Sequence, residues 1–420
     1  MIRHSLECDH DRFGRPCVRM MCGELFNAGS EMKIIGVMGS GLVGVNPYDE
    51  NAWSGSSRFL FQECDRQGVL VRAFGVDAPG VFKYPLMLSN FSFDRKVWAQ
   101  KFYLDTRYFS LLSSEIVARL SEAEAAGPIL QLGGIYNLRE HLESSAYLCS
   151  YHDGNLAEAV RSPNFPKAIS FRVIDKALDY ERRVYEGLDR IFVMSEYLKR
   201  SFIQDFGMPA TKVEVIGAGI NMEIPREPQG KNYASQKILF VGADFERKGG
   251  WELLQAFKLL RCDYPDAELH IVGPRSLTIA PELSGGVHWH GFLSKTLAPD
   301  AAKLAELFHQ SSLFVLPSKY EPFGIAPLEA MANGIPCLLV NRWAFPDMVK
   351  PGVNGELVDD HDPIRMAAAM AGLLRDPVRL QAMGNEARVI ALANFTWPVV
   401  VSRLRGSLEA DLARRGASGG

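Results

Sequence analysis

Short apolar runs alternate with longer helix-patterned segments from Lys33 onward, and the alternation happens twice, on either side of one polar, proline- and glycine-rich stretch. The first series opens with "KIIGVM", a run that reads as a buried strand. A helix is expected over roughly Ser56 to Gln67, and "VLVRAFGV" is the second strand. "GPILQLGGI" and "AYLCSYHDG" are later strands ending in polar loops. "LDRIFVMSEYLKRSFIQDF" passes from a strand straight into a helix, with Ser195 placed to cap it. "KVEVIGAGI" closes the series. The interruption, "NMEIPREPQGKNYASQ", is a linker by composition. The second series holds "KILFVGADFERKGGWELLQAFKLL", "AELHIVG", "VHWHGF", "LFVLPS" and "IPCLLV". Repeated strand–helix units imply parallel sheets with helices on both faces. The expected fold is α/β, with two successive Rossmann-like, doubly wound domains facing a central cleft. Residues 32–225 would form the first domain, 226–235 the linker and 236–395 the second domain. "FTWPVVVSRLRGSLEADLARR" reads as a helix over 396–415 that packs back toward the first domain, with disorder expected in the final "GASGG". Ligands in such sheets bind beyond the carboxyl ends of the strands.

A chain of 420 residues has room for two such domains, and 47% hydrophobic with 23% charged residues is ordinary for globular cores. A net charge of −3 gives no reason to expect nucleic acid. Seven scattered cysteines suggest reduced thiols and a cytoplasmic setting. No apolar run approaches the ~20 residues of a spanning helix, which leaves a peripheral place at the inner membrane face open. Residues 1–31 are polar and read as a disordered leader, or as a segment preceding a true start at Met32. Cys8, His10, Cys17 and Cys22 lack a recognised zinc spacing, and "DHD" at Asp9 to Asp11 follows no strand, so no metal site is expected.

"GSGLVG", Gly39 to Gly44, fits the dinucleotide fingerprint after a strand. A true fingerprint opens a helix at once, so that the helix N-terminus meets the pyrophosphate. Here Asn46-Pro47 follows, and a residue before proline avoids helical angles. Gly39, Gly41 and Gly44 are read instead as a loop whose backbone approaches a ligand closely. A plain tight connection and an NAD-dependent oxidoreductase are the competing readings.

Two segments carry more chemistry. In "FVGADFERKGG", Arg247 and Lys248 lie between a strand end and a helix start, where cations can hold a diphosphate. Taken alone, such a pair is more often a solvated basic loop. In "SKYEPFGIAPLEAMANGIP", Glu321 falls in a loop and Glu329 on a helix begun near Ile325 and ended by Gly334. If every step between them were helical, the carboxylates would stand ~12 Å apart along the axis, beyond the ~5–9.5 Å of a glycosidase pair. Gly324 and Ile325 offer N–H groups at a helix start, a natural anion site. Glu329 can accept from a ribose diol, or simply be favoured by the helix dipole.

These segments, with "LHIVGP" and "VHWHGFLS", resemble in order and spacing the family 4 (group 1) retaining glycosyltransferases of GT-B fold. "WSGSSRFLFQE", "YEGLDRIFVMSEYLKR" and "VEVIGAGIN" fit the family's first domain more loosely, and the resemblance spans roughly residues 33 to 410. It implies transfer of a sugar from a nucleotide-diphosphate sugar to a hydroxyl acceptor, with no cofactor and no metal. It implies that Glu329 binds the ribose, and that Glu321, Phe323, Gly324 and Ile325 face the sugar and phosphates. Arg247 and Lys248 would clamp the diphosphate, Gly39 to Gly44 would approach it from the other domain, and Gly273-Pro274 would lie near the base. "LCSYHDG" resembles the family strand whose histidine sits beside the sugar, which makes His152 the fourth catalytic candidate with Glu321, Arg247 and Lys248. Its bland alternative is a histidine capping backbone at a strand end; Asp153 would orient it or start the next turn. Many members carry arginine directly after the "FVG" strand, where this chain has Ala243; Arg247 is the candidate replacement.

The acceptor is expected on the first domain, near "NPYDENAWSGS" and the aromatic-rich stretch Asp94 to Tyr108, whose rings either stack on sugars or pack in a core. It is a glycan, a lipid-linked glycan or a small molecule. Lys167, Arg172, Lys176, Arg182 and Arg183 either rest on an anionic membrane or form a solvated helix face. A non-catalytic sugar-nucleotide or glycan-binding relative is a further alternative, as is a GT-B phosphorylase or epimerase.

Overall fold

Twelve strands, all pairing in parallel, form two six-stranded sheets in a computed structural model that describes residues 32–39, 46–50, 52–143, 145–225 and 230–418. The leader with its cysteines, Gly41, Gly44 and residues 226–229 of the linker lie outside the described residues. In the first sheet, β1 (Ile34–Gly39), β2 (Leu70–Val76), β3 (Ile129–Leu132), β4 (Leu148–His152), β5 (Arg190–Val193) and β6 (Val213–Val215) run in the order β2-β1-β3-β4-β5-β6. In the second, β7 (Lys237–Val241), β8 (Glu268–Val272), β9 (Val287–Trp289), β10 (Leu313–Leu316), β11 (Cys337–Val340) and β12 (Gly355–Val358) run β12-β11-β10-β7-β8-β9. The central strands are apolar along their whole length because both faces are covered: β1, β10 and β11 are buried at every residue. β12 is absent from the sequence reading for the same reason reversed. It is an edge strand, "GELV", buried at one residue only.

Strand order reverses between β1 and β3 in the first sheet and between β7 and β10 in the second. Each reversal opens a crevice beyond the strand ends, where doubly wound sheets bind ligands. The segments that leave β1, β7 and β10 are the ones whose motifs stand out in the sequence.

The stretch Asp94 to Tyr108 resolves into helices. Asp94 and Asp105 cap helices Arg95–Phe102 and Thr106–Ala118 by accepting from backbone N–H groups. Phe102 and Tyr108 are buried, with their rings tilted at 43° and centroids 4.5 Å apart, as core residues pack. Ser195 caps helix Glu196–Phe206 by accepting from the Leu198 N–H at 3.1 Å.

The last helix, Trp397–Ser418, returns to the first sheet. Its Asp411 carboxylate is paired with Arg190 at 2.6 Å and accepts from the Tyr147 hydroxyl at 2.5 Å. The expected disorder of "GAS" is corrected: the helix runs through it to Ser418. Trp397, Val400, Leu404 and Leu408 belong to one apolar cluster with Phe61 of the first domain and Phe314 of the second, so this helix joins the two cores. Polar contacts also cross between the domains. Asp347 accepts from the Glu196 N–H at 2.8 Å, and the Asn164 amide reaches Asp244 at 3.3 Å.

Candidate active site

The rim of the first domain is built on a strained turn. Trp53 and Ser54 in the turn Ala52–Gly55 have φ of 50° and 55°, a left-handed conformation that costs non-glycine residues about 1–3 kcal/mol each. Several bonds hold it. The Asn221 amide donates to the Ser54 carbonyl at 3.0 Å and to Ser56 Oγ at 2.9 Å. Asn221 Oδ1 in turn accepts from Trp397 Nε1 at 3.1 Å. The Trp53 ring stands edge-on to Tyr151, with centroids 5.4 Å apart, and its N–H is directed at the Asp153 carboxylate. Burial raises the Asp153 carboxyl above its ordinary range, and the charge of Glu321 adds to this. Gly39 ends β1, and its N–H donates to the Tyr136 hydroxyl. With Trp53, Asp153 and the end of β4 it lines a cavity of about 120 Å³.

His152 ends β4 and also lines this small cavity. Its ring is buried, bonded to Ser150 Oγ at 2.7 Å and packed edge-on against Tyr185 and Phe202 at 5.4 and 5.0 Å. Burial depresses its pKa to about 3. The side chains of a strand alternate between faces. His152 enters the core on the helix-covered face, and the next residue, Asp153, faces the space between the domains.

The second domain supplies the cations. After β7 the chain turns through Ala243 and Asp244, whose carboxylate accepts from the Arg247 N–H at 3.1 Å. The Arg247 guanidinium donates to the Tyr320 carbonyl at 2.7 Å, and the Lys319 N–H donates to the Arg247 carbonyl at 2.8 Å. The loops after β7 and β10 are thus one unit. Within it Lys248 is ion-paired with Glu321, and Arg247 stands 3.9 Å from the same carboxylate. Burial lowers the Lys248 pKa, while Glu321 opposes the shift.

Helix Ile325–Ala332 begins at Gly324, whose φ is 103° and where a Cβ would lie 2.7 Å from the Phe345 ring. Only glycine fits that entry. Phe323 is buried beside it against Phe395. Glu329, one turn in, is 1% exposed and ion-paired with Lys295. Glu321 and Glu329 therefore have separate lysine partners.

Of the described site residues expected from the sequence, all but His152, Gly39, Gly273 and Pro274 line one cavity of about 380 Å³ between the domains. Trp53, Ser54 and Asp153 line it from the first domain, facing Arg247, Lys248, Glu321, Phe323, Gly324, Ile325 and Glu329 from the second. Gly273 and Pro274 do not line it. Gly273, at φ 123°, is pressed against Gly242, where a Cβ would fall 2.5 Å from the backbone, and the Pro274 carbonyl accepts from Trp289 Nε1 at 3.0 Å. They shape the loop beside the cavity. The sequence reading singled out neither Asn221 nor Lys295; it held Trp53 only within the acceptor stretch and Asp153 only as an orienter of His152. Lys295 directly follows "GFLS", and Asp153 follows His152, so proximity to the motifs was the available signal. Among the described residues no cluster of three His, Cys, Asp or Glu has metal-binding geometry. Two cations and the N–H groups of a helix start suit a diphosphate, and buried carboxylates held by lysines suit the hydroxyls of a sugar.

Residues 221–389 match the family model "Glycosyl transferases group 1". The chain is 30% identical over 243 residues to the D-inositol 3-phosphate glycosyltransferase of Thermobispora bispora, covering 53% of this chain and 56% of that protein. It is 28% identical over 247 residues to the MMP alpha-(1->4)-mannosyltransferase of Mycolicibacterium hassiacum, covering 56% and 58%. The chain thus spans little more than half the length of the curated relatives it matches. Among solved structures, sucrose-phosphate synthase from Thermosynechococcus elongatus superposes with a TM-score of 0.66 at 17% identity, over 91% of this chain and 100% of that one. Anabaena HepE in complex with UDP and glucose gives 0.58 at 17%, over 90% and 100%. The fold expected from the sequence is the one observed: residues 221–389 match the group 1 glycosyltransferase model, and the chain as a whole has the two-sheet GT-B architecture.

Proposed function

We propose that this protein is a retaining glycosyltransferase that moves a sugar from a nucleoside diphosphate sugar to a hydroxyl acceptor. The observation that carries the reading is the convergence of Arg247, Lys248 and the start of helix Ile325–Ala332 on one cavity that also holds Glu321 and Glu329. In this reading Glu329 takes the ribose hydroxyls, with Lys295 holding its charge. Arg247 and Lys248 take the diphosphate, and Arg247 supplies the charge missing at Ala243. Glu321 faces the sugar, and Asp153 with Trp53 faces it from the acceptor side. His152, packed in the core directly before Asp153, is a positioning residue.

The chemistry follows from charge. The bond between the anomeric carbon and the diphosphate oxygen breaks, and its electron pair goes to the diphosphate. Preplaced cations and N–H dipoles stabilise that charge most where water is excluded. The acceptor oxygen forms the new bond on the same face of the sugar, and its proton passes to an oxygen of the departing phosphate. Glu321 stabilises the cation-like anomeric carbon. The acceptor is a glycan, a lipid-linked glycan or a small molecule. The solved neighbour HepE was crystallised with UDP and glucose, so UDP-sugars head the donor series, followed by GDP- and ADP-sugars.

The test is incubation with each donor and assay of nucleoside diphosphate release, followed by proton NMR of the anomeric centre of any product. The reading expects release with one donor class and the donor's own anomeric configuration in the product. An inverted product overturns retention, and no release with any donor overturns the enzyme.

A further inference from the structure

Helix Gly80–Ser89 leaves the carboxyl end of β2 with an apolar face that no part of the described chain covers. Val81, Phe82, Tyr84 and Leu88 are exposed, and Phe91 and Phe93 follow in the next loop, with Phe93 95% exposed. Singly exposed apolar residues need no explanation, but a contiguous group marks an interaction surface. The group is fixed rather than frayed. Phe91 packs edge-on against both Phe93 and Trp98, and Trp98 Nε1 donates to the Met87 carbonyl at 2.7 Å. Helix Arg95–Phe102 ties the patch to a second segment, because its Val97 shares a buried cluster with Ile169, Ile174 and Ala177. That segment presents Phe171, which is 83% exposed.

Charge selects the partner. Residues 80–101 carry Lys83, Arg95, Lys96 and Lys101 against Asp94, and residues 163–176 carry Lys167, Arg172 and Lys176 against Asp175. Seven positive and two negative side chains give +5, in a chain whose net charge is −3. Lys83 is paired with Asp77. Among the described residues no ion pair occupies Arg95, Lys96, Lys167, Arg172 or Lys176. Arg182 and Arg183, by contrast, are engaged on their own helix, with Asp179 and with the Tyr180 ring. Aromatic and aliphatic side chains beside unpaired cations match the layered chemistry of a bilayer surface, with apolar groups entering the acyl boundary and cations meeting anionic headgroups.

We propose that the outer face of Gly80–Ser89, with Phe91, Phe93 and Phe171 and the cations around them, docks the protein onto an anionic lipid bilayer. The surface lies beside the interdomain cleft: Asn164, in the same basic segment, touches Asp244 of the second domain. Resting on the transferase reading, this would bring a lipid-linked acceptor to the first-domain side of the site. The docking itself does not depend on that reading.

The experiment is cosedimentation of the full chain with vesicles of phosphatidylcholine alone and of phosphatidylcholine mixed with phosphatidylglycerol, at low and high salt. Binding to the anionic vesicles that weakens with salt is expected. A Phe82→Ser/Leu88→Ser/Phe93→Ser variant should lose it, and an Arg95→Ala/Lys96→Ala variant should bind less by about fivefold per cation removed. Circular dichroism and donor affinity in solution, both expected unchanged, separate loss of docking from loss of fold or of the donor site. Equal binding to neutral vesicles, no binding to anionic ones, or binding undiminished in both variants would overturn the proposal. So would a wild-type dimer that the apolar variant converts to monomer, since the face would then serve a second copy.

Discussion

Side chains that look alike in the sequence are separated by burial. Glu321 and Glu329 share a motif, yet each is held by its own lysine, and only the structure reveals Lys295 as the second. His152 and Asp153 are neighbours, yet strand alternation sends one into the core and the other to the cleft. The motif was legible; which of its residues faced the interdomain cavity was not, because "LCSYH" is buried at every position and carries no alternation to read. Glu181 gives a residue-scale prediction. It is buried beneath the loop that follows β4, accepts from the Leu156 N–H at 3.0 Å, and has its carboxyl pushed up by burial to about 7. Below the ordinary value of 4.5 it is protonated whether the chain is folded or not. Between there and about 7 only the unfolded chain ionises it, so its contribution is fully present at low pH and is lost as pH rises through the folded value. Glu181→Gln should flatten the fall in melting temperature over that window. A wild-type pH profile in the variant would show that Glu181 is not its source.

At the scale of elements, the sequence gives away what is regular and hides what is strained. Central strands are legible because they are apolar throughout, whereas β12 shows no such run. The left-handed turn Ala52–Gly55 is not legible at all: nothing in "AWSG" announces φ near 50° at tryptophan, since the bonds that impose it come from Asn221 and Trp397, far along the chain. Asn221→Ala should release that turn and leave Trp397 Nε1 without its acceptor, at a cost of about 1–3 kcal/mol. Chemical denaturation reads the loss, and the turnover number should drop further than stability accounts for at saturating donor. An unchanged turnover number would remove Asn221 from the site's support. The entry to helix Ile325–Ala332 is the opposite case, since glycine at Gly324 marks it in the sequence. Gly324→Ala forces a Cβ toward Phe345 and strains the backbone by about 1–3 kcal/mol. Melting temperature and donor affinity should both fall, and a variant with wild-type values of both would contradict the strained entry.

At the scale of the whole molecule, both sheets place their reversal of strand order at one shared crevice. Repetition of strand and helix made the two parallel sheets legible. How the domains face each other was not legible, because the contacts that set it are distant in sequence: Asp347 on the Glu196 N–H, Asn164 on Asp244, and the last helix bridging both cores. The proposed function stands or falls on whether the crevice holds a nucleoside diphosphate through Lys248 and Glu329. Isothermal titration of UDP-, GDP- and ADP-sugars into the wild type, Lys248→Ala and Glu329→Ala tests it most directly. Losing a charge-assisted bond should weaken binding of the preferred donor by about 10- to 100-fold in each variant, with circular dichroism unchanged. Donor affinity equal to wild type in both variants would contradict it.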